Sequence, residues 1–242
     1  SLNRSKVLVL SEDKDIFGGE LDNTILKDQL NLMRVGEPMY VFYGYVEDGY
    51  DENGHIVYKN MDDDPAITAA DKTIIGDPNP DFLVNLTTAV SYKGFTLSAF
   101  FQSSIGNDIY SLSMAAQAYD YGYNGNTLRE VYYNHWTPEN PTAKYPNLDQ
   151  TSYKMSDRFV YDGSFVRLKN LELAYDVPCA RSKFIKRARA YVSAQNLFTI
   201  TSYPFWDPDI NANGGGSSMI QGVDSYCYPS ARTYTIGCRL TF

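Results

Sequence analysis

The chain has no apolar run approaching the roughly 20 residues of a membrane-spanning helix. That absence excludes a helical span and nothing more, because the strands of a membrane barrel are about 10 residues long and only half apolar. Cysteine is scarce. Cys179, Cys227 and Cys238 are an odd number with no CxxC pair, which excludes a disulfide framework and a cysteine zinc site. The two histidines, His55 and His135, stand far apart. No nucleophile elbow, zinc-protease signature or glycine-rich phosphate loop is present, so the chain reads as a non-enzyme. Among 29 Asp and Glu a glycosidase-like pair can always be drawn and decides nothing. Positive charge is also short, 21 Lys and Arg for a net charge of -8, which argues against a nucleic-acid backbone as partner. Nothing at Ser1 resembles a secretory leader. Lys6-Val7-Leu8-Val9-Leu10 reads as the end of a strand, and the opening reads as an internal cut in a longer protein.

What the chain does have is aromatic surface and alternation. It is 43% hydrophobic and 14% aromatic, with 21 Tyr, enough to bury a core. The last residues, Arg232 to Phe242, put Tyr234, Ile236, Cys238, Leu240 and Phe242 on one face and Thr233, Thr235, Gly237, Arg239 and Thr241 on the other. Cys238 there is a small hydrophobe. Phe82–Tyr92 and Phe95–Gln102 alternate in the same way around Lys93-Gly94, a hairpin signal. A second pair runs Ser164–Val177 and Arg187–Thr199 around a short basic turn. Such faces suit a transmembrane barrel, apolar toward lipid and polar toward the lumen. They equally suit a soluble β-sandwich, where Glu172 in mid-strand would meet solvent instead of a lumen.

Residues 11–81, 104–162 and 200–230 are long, unequal connections rich in Tyr, Asn, Asp, Gly and Pro, and long connections usually carry function. With a periplasmic C-terminus, counting strands backward puts Lys93-Gly94 and Pro178–Lys186 on the periplasmic side and all three long segments outside. That is the asymmetry of outer-membrane barrels.

Several stretches then resemble one family. Ile75-Gly-Asp-Pro-Asn-Pro-Asp-Phe82, Ser91-Tyr-Lys-Gly-Phe-Thr-Leu97, Phe100-Phe-Gln102 and Gly106-Asn-Asp-Ile109 resemble the SusC/RagA-type TonB-dependent outer-membrane transporters of Bacteroidetes. So do His135-Trp-Thr-Pro-Glu-Asn-Pro141 with Tyr145-Pro146, and Ser164-Phe-Val-Arg-Leu-Lys-Asn-Leu171 with Tyr175 and Pro178. Ala194-Gln-Asn-Leu-Phe198, Tyr203 with Asp207-Pro208, Gly222-Val-Asp224 and Tyr228-Pro229 complete the series in family order. The resemblance implies an all-β chain: the C-terminal antiparallel strands of a large transmembrane barrel with long extracellular loops. It implies an importer of glycans or peptides in the outer membrane of a Gram-negative bacterium, with a SusD-like lipoprotein over its mouth. Energy would come from TonB through an N-terminal part that this chain lacks. A family barrel has 22 strands and a plugged lumen. This chain supplies about six, so the barrel is incomplete and needs the remainder of the transporter and its plug. Residues 1–81 then hold a strand end and a long loop, and 82–242 the last strands. The alternative is a soluble, non-catalytic glycan-binding sandwich at the cell surface.

Two sets of site candidates follow. Asn60, Asp62, Asp64, Thr68 and Asp71 space oxygen donors as a calcium-binding EF-hand loop does, with Ile67 at the apolar eighth position. Pro65 stands where that loop wants Gly and Asp71 where it wants Glu, so the copy is degenerate, and a solvated acidic loop accounts for it equally. No other cofactor is expected. Exposed aromatics stack on sugar rings. Tyr119, Tyr121, Tyr123, Tyr132, Tyr133 and Trp136 in one loop, and Tyr203, Phe205 and Trp206 in another, are the substrate-contact candidates. Packing of loop against loop is the competing role for each.

Overall fold

A computed structural model of the chain describes residues 1–12, 14–18, 20–22, 26–119, 126–179, 184–210 and 219–242. Five long strands carry the alternation read from the sequence: Phe82–Tyr92, Phe95–Ile105, Phe165–Val177, Arg187–Thr201 and Thr233–Thr241. Each pairs antiparallel with the next, so they form one up-and-down sheet in chain order. The first turn is tight because Lys93 (φ 47°) and Gly94 (φ 87°) both take the left-handed region that a two-residue hairpin requires.

Register explains what each face does. Val90 pairs Leu97, Leu97 pairs Leu173, Leu173 pairs Val192 and Val192 pairs Ile236, an apolar row across all five strands. Residues directly opposite one another share a face. That face is uncovered: Val90 is 67% exposed, Leu97 48%, Val192 47% and Ile236 86%. A sandwich would bury it under a second sheet. Here it faces outward, as the lipid side of a barrel does. Tyr92, Phe95 and Tyr175 gather at the short-turn end of this face, with the Phe95 and Tyr175 rings 4.5 Å apart. The opposite face carries Ser98, Gln102, Glu172, Ser193 and Thr235, and Glu172 meets Arg189 at 3.6 Å. The charged mid-strand residue therefore points to the lumen side. Irregularities interrupt the ladders near Lys169 and near Asn196, whose φ of 51° suits an Asn, a residue that tolerates the left-handed region.

Among the described residues, both edges of the sheet are open. At the first edge only Leu2 bridges Phe82, with Ser1 and Leu83 exchanging backbone bonds. The strand end expected at Lys6–Leu10 thus falls earlier, at Ser1–Asn3. Lys6–Leu10 leaves the sheet instead, and Val7 bonds Gly36 and Glu37.

The long connections are not loose. They fold into a body at the end where Ile105, Phe165 and Thr201 leave the sheet. One small sheet orders Ile16–Phe17, Asn31–Met33, Val41–Gly44 and Thr73–Gly76. Another joins Val160–Asp162, Asp108–Ser111 and Val223–Asp224, drawing on two of the long connections at once. The helix Leu112–Tyr119 packs nearby. Leu30, Phe42, Tyr58, Tyr110, Val131, Met155 and Val223 meet in one core. Each such side chain contributes about 1.5–3 kcal/mol by leaving water. No described helix is long and apolar enough to cross a membrane, which says nothing of strands.

Candidate functional site: the polar face and the loop body at its end

Arg167 anchors the junction of sheet and loop body. It projects from the polar face of the third long strand and is 1% exposed. Its Nε donates to Thr199 Oγ1 on the neighbouring strand (2.9 Å) and its Nη1 to Ser230 Oγ (3.1 Å). Its Nη2 pairs with Asp207. Asp207 also accepts the backbone N–H groups of Asp209 and Ser230, both at 2.9 Å. Burial pushes the Asp207 carboxyl up, but those two N–H groups and Arg167 outweigh it and hold the carboxyl below the usual range. One buried cation thus ties the 200–210 and 228–232 segments to the barrel wall.

The stretches that carried the family resemblance meet in pairs throughout this region. Asp108 accepts from the Asp77 N–H (2.8 Å), and its own N–H donates to the Asp77 carbonyl. Gly222 lies so close to Pro78 that a Cβ there would sit 2.3 Å from it, and its φ of +69° also favours glycine. The Tyr203 hydroxyl donates to Asp224 Oδ2 (2.6 Å) beside Ser111. Burial first, then the hydrogen bond to Asp224, raises the Tyr203 pKa. The Trp136 N–H donates to the Tyr145 carbonyl and the Tyr145 N–H to the Asn134 carbonyl, and the Trp136 ring covers Gly54 at its tight turn.

The aromatic candidates divide. Tyr119 is 5% exposed, stacked on Tyr153 at 3.8 Å and edge-on to Phe159, so it is core and not a cargo contact. Tyr203 is 4% exposed and spends its hydroxyl on Asp224, a second correction. Trp136 and Phe205 are half-buried in packing. Tyr132 and Tyr133, an edge-to-face pair at 5.3 Å, are 60% and 65% exposed. Trp206 is 58% exposed, with one face stacked on Phe205. Tyr121 and Tyr123 lie outside the described residues. Composition could not tell a core tyrosine from a surface one. Arg167, Asp207 and Arg232 were absent from the candidates. A charged residue alternating with apolar ones in the third long strand was the available signal for Arg167.

The acidic loop closes on itself. Asn60 Oδ1, Asp62 Oδ1 and Asp64 Oδ1 each accept a backbone N–H two residues on. Thr68 and Asp71 form a capping box on the short 3-10 turn Ala69–Asp71: Thr68 Oγ1 accepts the Ala70 N–H, and Asp71 Oδ2 the Thr68 N–H. Asp71 Oδ1 takes the Met61 N–H (2.7 Å), and these bonds hold its carboxyl below the usual range. Among the described residues no three His, Cys, Asp or Glu side chains gather as a metal site. As arranged, these donors do not fit a calcium cradle.

An open sheet with a bare apolar face, a polar face and a folded loop body at one end defines part of an outer-membrane β-barrel. No family model matches the chain. It is 32% identical to TonB-dependent receptor P3 of Formosa agariphila over 263 aligned residues, covering all of this chain and 26% of that protein. It is 29% identical to the TonB-dependent receptor SusC of Bacteroides thetaiotaomicron, over 86% of this chain and 20% of the relative. Among solved structures, the RagAB peptide importer in its open-open state matches 98% of this chain and 25% of that one, with a TM-score of 0.74 and 25% identity. The chain therefore belongs to the SusC/RagA-type TonB-dependent receptors and forms part of their barrel. It spans about a quarter of the length of the relatives it matches.

Proposed function

We propose that the protein containing this chain imports a glycan or a peptide across the outer membrane. Energy comes from a TonB complex, and a SusD-like surface lipoprotein works at the extracellular mouth. The chain contributes one section of barrel wall and a section of the extracellular loop body. The long connections face outward, and the Lys93-Gly94 and Pro178–Lys186 turns and the C-terminus face the periplasm.

The observation that carries this reading is the uncovered apolar row from Val90 to Ile236, backed by a polar face with charged residues at mid-strand. A lipid surround makes such a row favourable, whereas water does not. The named relatives support the nutrient-import class: they are TonB-dependent receptors, and RagAB is a peptide importer.

A blot of fractionated native cells with an antibody to this chain tests the reading. A full-size receptor, or a nicked pair, in the detergent-extracted outer membrane is expected. A lone band near 27.3 kDa in the soluble fraction would overturn it.

A further inference from the structure

A pocket of about 250 Å³ opens on the polar face at the loop-body end of the fourth long strand, Arg187–Thr201. Its lining includes Arg167, Thr199, Thr201, Trp206, Pro229 and Arg232. We propose that this pocket is a subsite for an acidic sugar residue of the cargo, a pyranose ring bearing a carboxylate or sulfate. The proposal rests on the reading above, in which the polar face lines the transport path.

Three observations converge. First, Trp206 is a ring held in place on one side only. Phe205 stacks on it at 4.9 Å with 16° between planes, yet Trp206 remains 58% exposed. A rigid indole with an open face binds the apolar side of a sugar ring at little cost in conformational entropy. Second, charge is unbalanced. Asp207 and Asp209 are matched by Arg167 and Lys169. Arg232, exposed at the rim, has no ion pair among the described residues. Its planar fork suits bidentate binding of a carboxylate or sulfate. Third, the wall is polar and already built. Thr199 accepts from Arg167, and Thr201 donates to the Ser164 carbonyl, so both hydroxyls are held in place at the pocket wall. The volume admits about one ring, so the subsite reads a single residue of a longer chain.

The test uses the full-length receptor purified from the outer membrane in detergent. It is probed with an array of oligogalacturonates, sulfated and sialylated oligosaccharides, their neutral counterparts, and peptides of mixed sequence. At least one acidic glycan is expected to bind better than its neutral counterpart. Arg232→Gln should weaken that glycan about tenfold and leave the neutral one nearly unchanged. Trp206→Ala should weaken both. Arg232 and Trp206 are exposed, so both variants should assemble, which resistance of the barrel band to SDS without heating confirms. Binding of no acidic glycan, or binding of one unaffected by Arg232→Gln, overturns the subsite. Binding of peptides alone does the same while leaving the importer reading standing. Failure of the importer reading shows separately, as absence of the receptor from the outer membrane.

Discussion

Two tyrosines with opposite surroundings show how much a single hydroxyl decides. The Tyr203 hydroxyl donates to a buried carboxylate, Asp224, which is itself 1% exposed. The Tyr119 hydroxyl is buried with no hydrogen-bond partner among the described residues. Removing one member of a buried pair leaves the other unsatisfied, whereas removing an unsatisfied group relieves a desolvation cost. Tyr203→Phe should therefore destabilise the loop body by about 1–3 kcal/mol, and Tyr119→Phe should be neutral or stabilising. The midpoint of heat-induced protease cleavage of the purified receptor checks both. Asp207 supplies a pH prediction. Its carboxyl is held below its ordinary value, so its stabilisation is fully present above the unfolded value and fades as pH falls through the lower folded one. The 200–210 segment should resist pepsin at about pH 4 and yield as pH drops further, while Asp207→Asn yields already at about pH 4. Equal cleavage of the two at about pH 4 would remove the carboxylate from the latch.

At the scale of elements, the strands separate sharply by face. Ile236 and Thr235 are neighbours in sequence and sit on opposite sides of the last strand. Lys at a lipid-facing position near mid-membrane costs about 2–4 kcal/mol, whereas a lumen position tolerates it. Ile236→Lys and Val192→Lys should reduce the heat-modifiable receptor band in the outer membrane, and Thr235→Lys should leave it intact. The same faces were legible in the sequence, because a period of two needs only local order to be seen. The hairpin at Lys93-Gly94 was legible for a similar reason. The loop body was not. Its core joins Leu30, Tyr110, Met155 and Val223 from four segments far apart in sequence, with no period to announce it. Tyr119 and Tyr203 looked like surface residues because they lie among other aromatics in long connections, while their neighbours in space are rings and a carboxylate. Thr68 and Asp71 looked like metal ligands because a capping box and a calcium loop use the same oxygen-bearing residues at compatible spacings.

For the whole molecule, the open edges of the sheet decide what the chain can be. Ser1–Asn3 begins a pairing with the first long strand, and Thr233–Thr241 bonds the fourth strand on one side only. In lipid each unpaired backbone group costs several kcal/mol, so both edges must meet further strands of the receptor. Closure fixes orientation as well, because an up-and-down sheet alternates sides strictly. If the loop body faces outward, Glu139, exposed in the 106–164 segment, and Lys93, exposed at the hairpin, lie on opposite sides of the membrane. In a cysteine-free receptor, Glu139→Cys should react with a membrane-impermeant maleimide on intact cells. Lys93→Cys should react only after the outer membrane is opened. The reverse pattern would invert the barrel and place the loop body, with its aromatic surface and the pocket beside Arg167, in the periplasm. Labelling of both on intact cells would mean that the sheet does not span the membrane, and the bare apolar row would then require a protein partner in place of lipid.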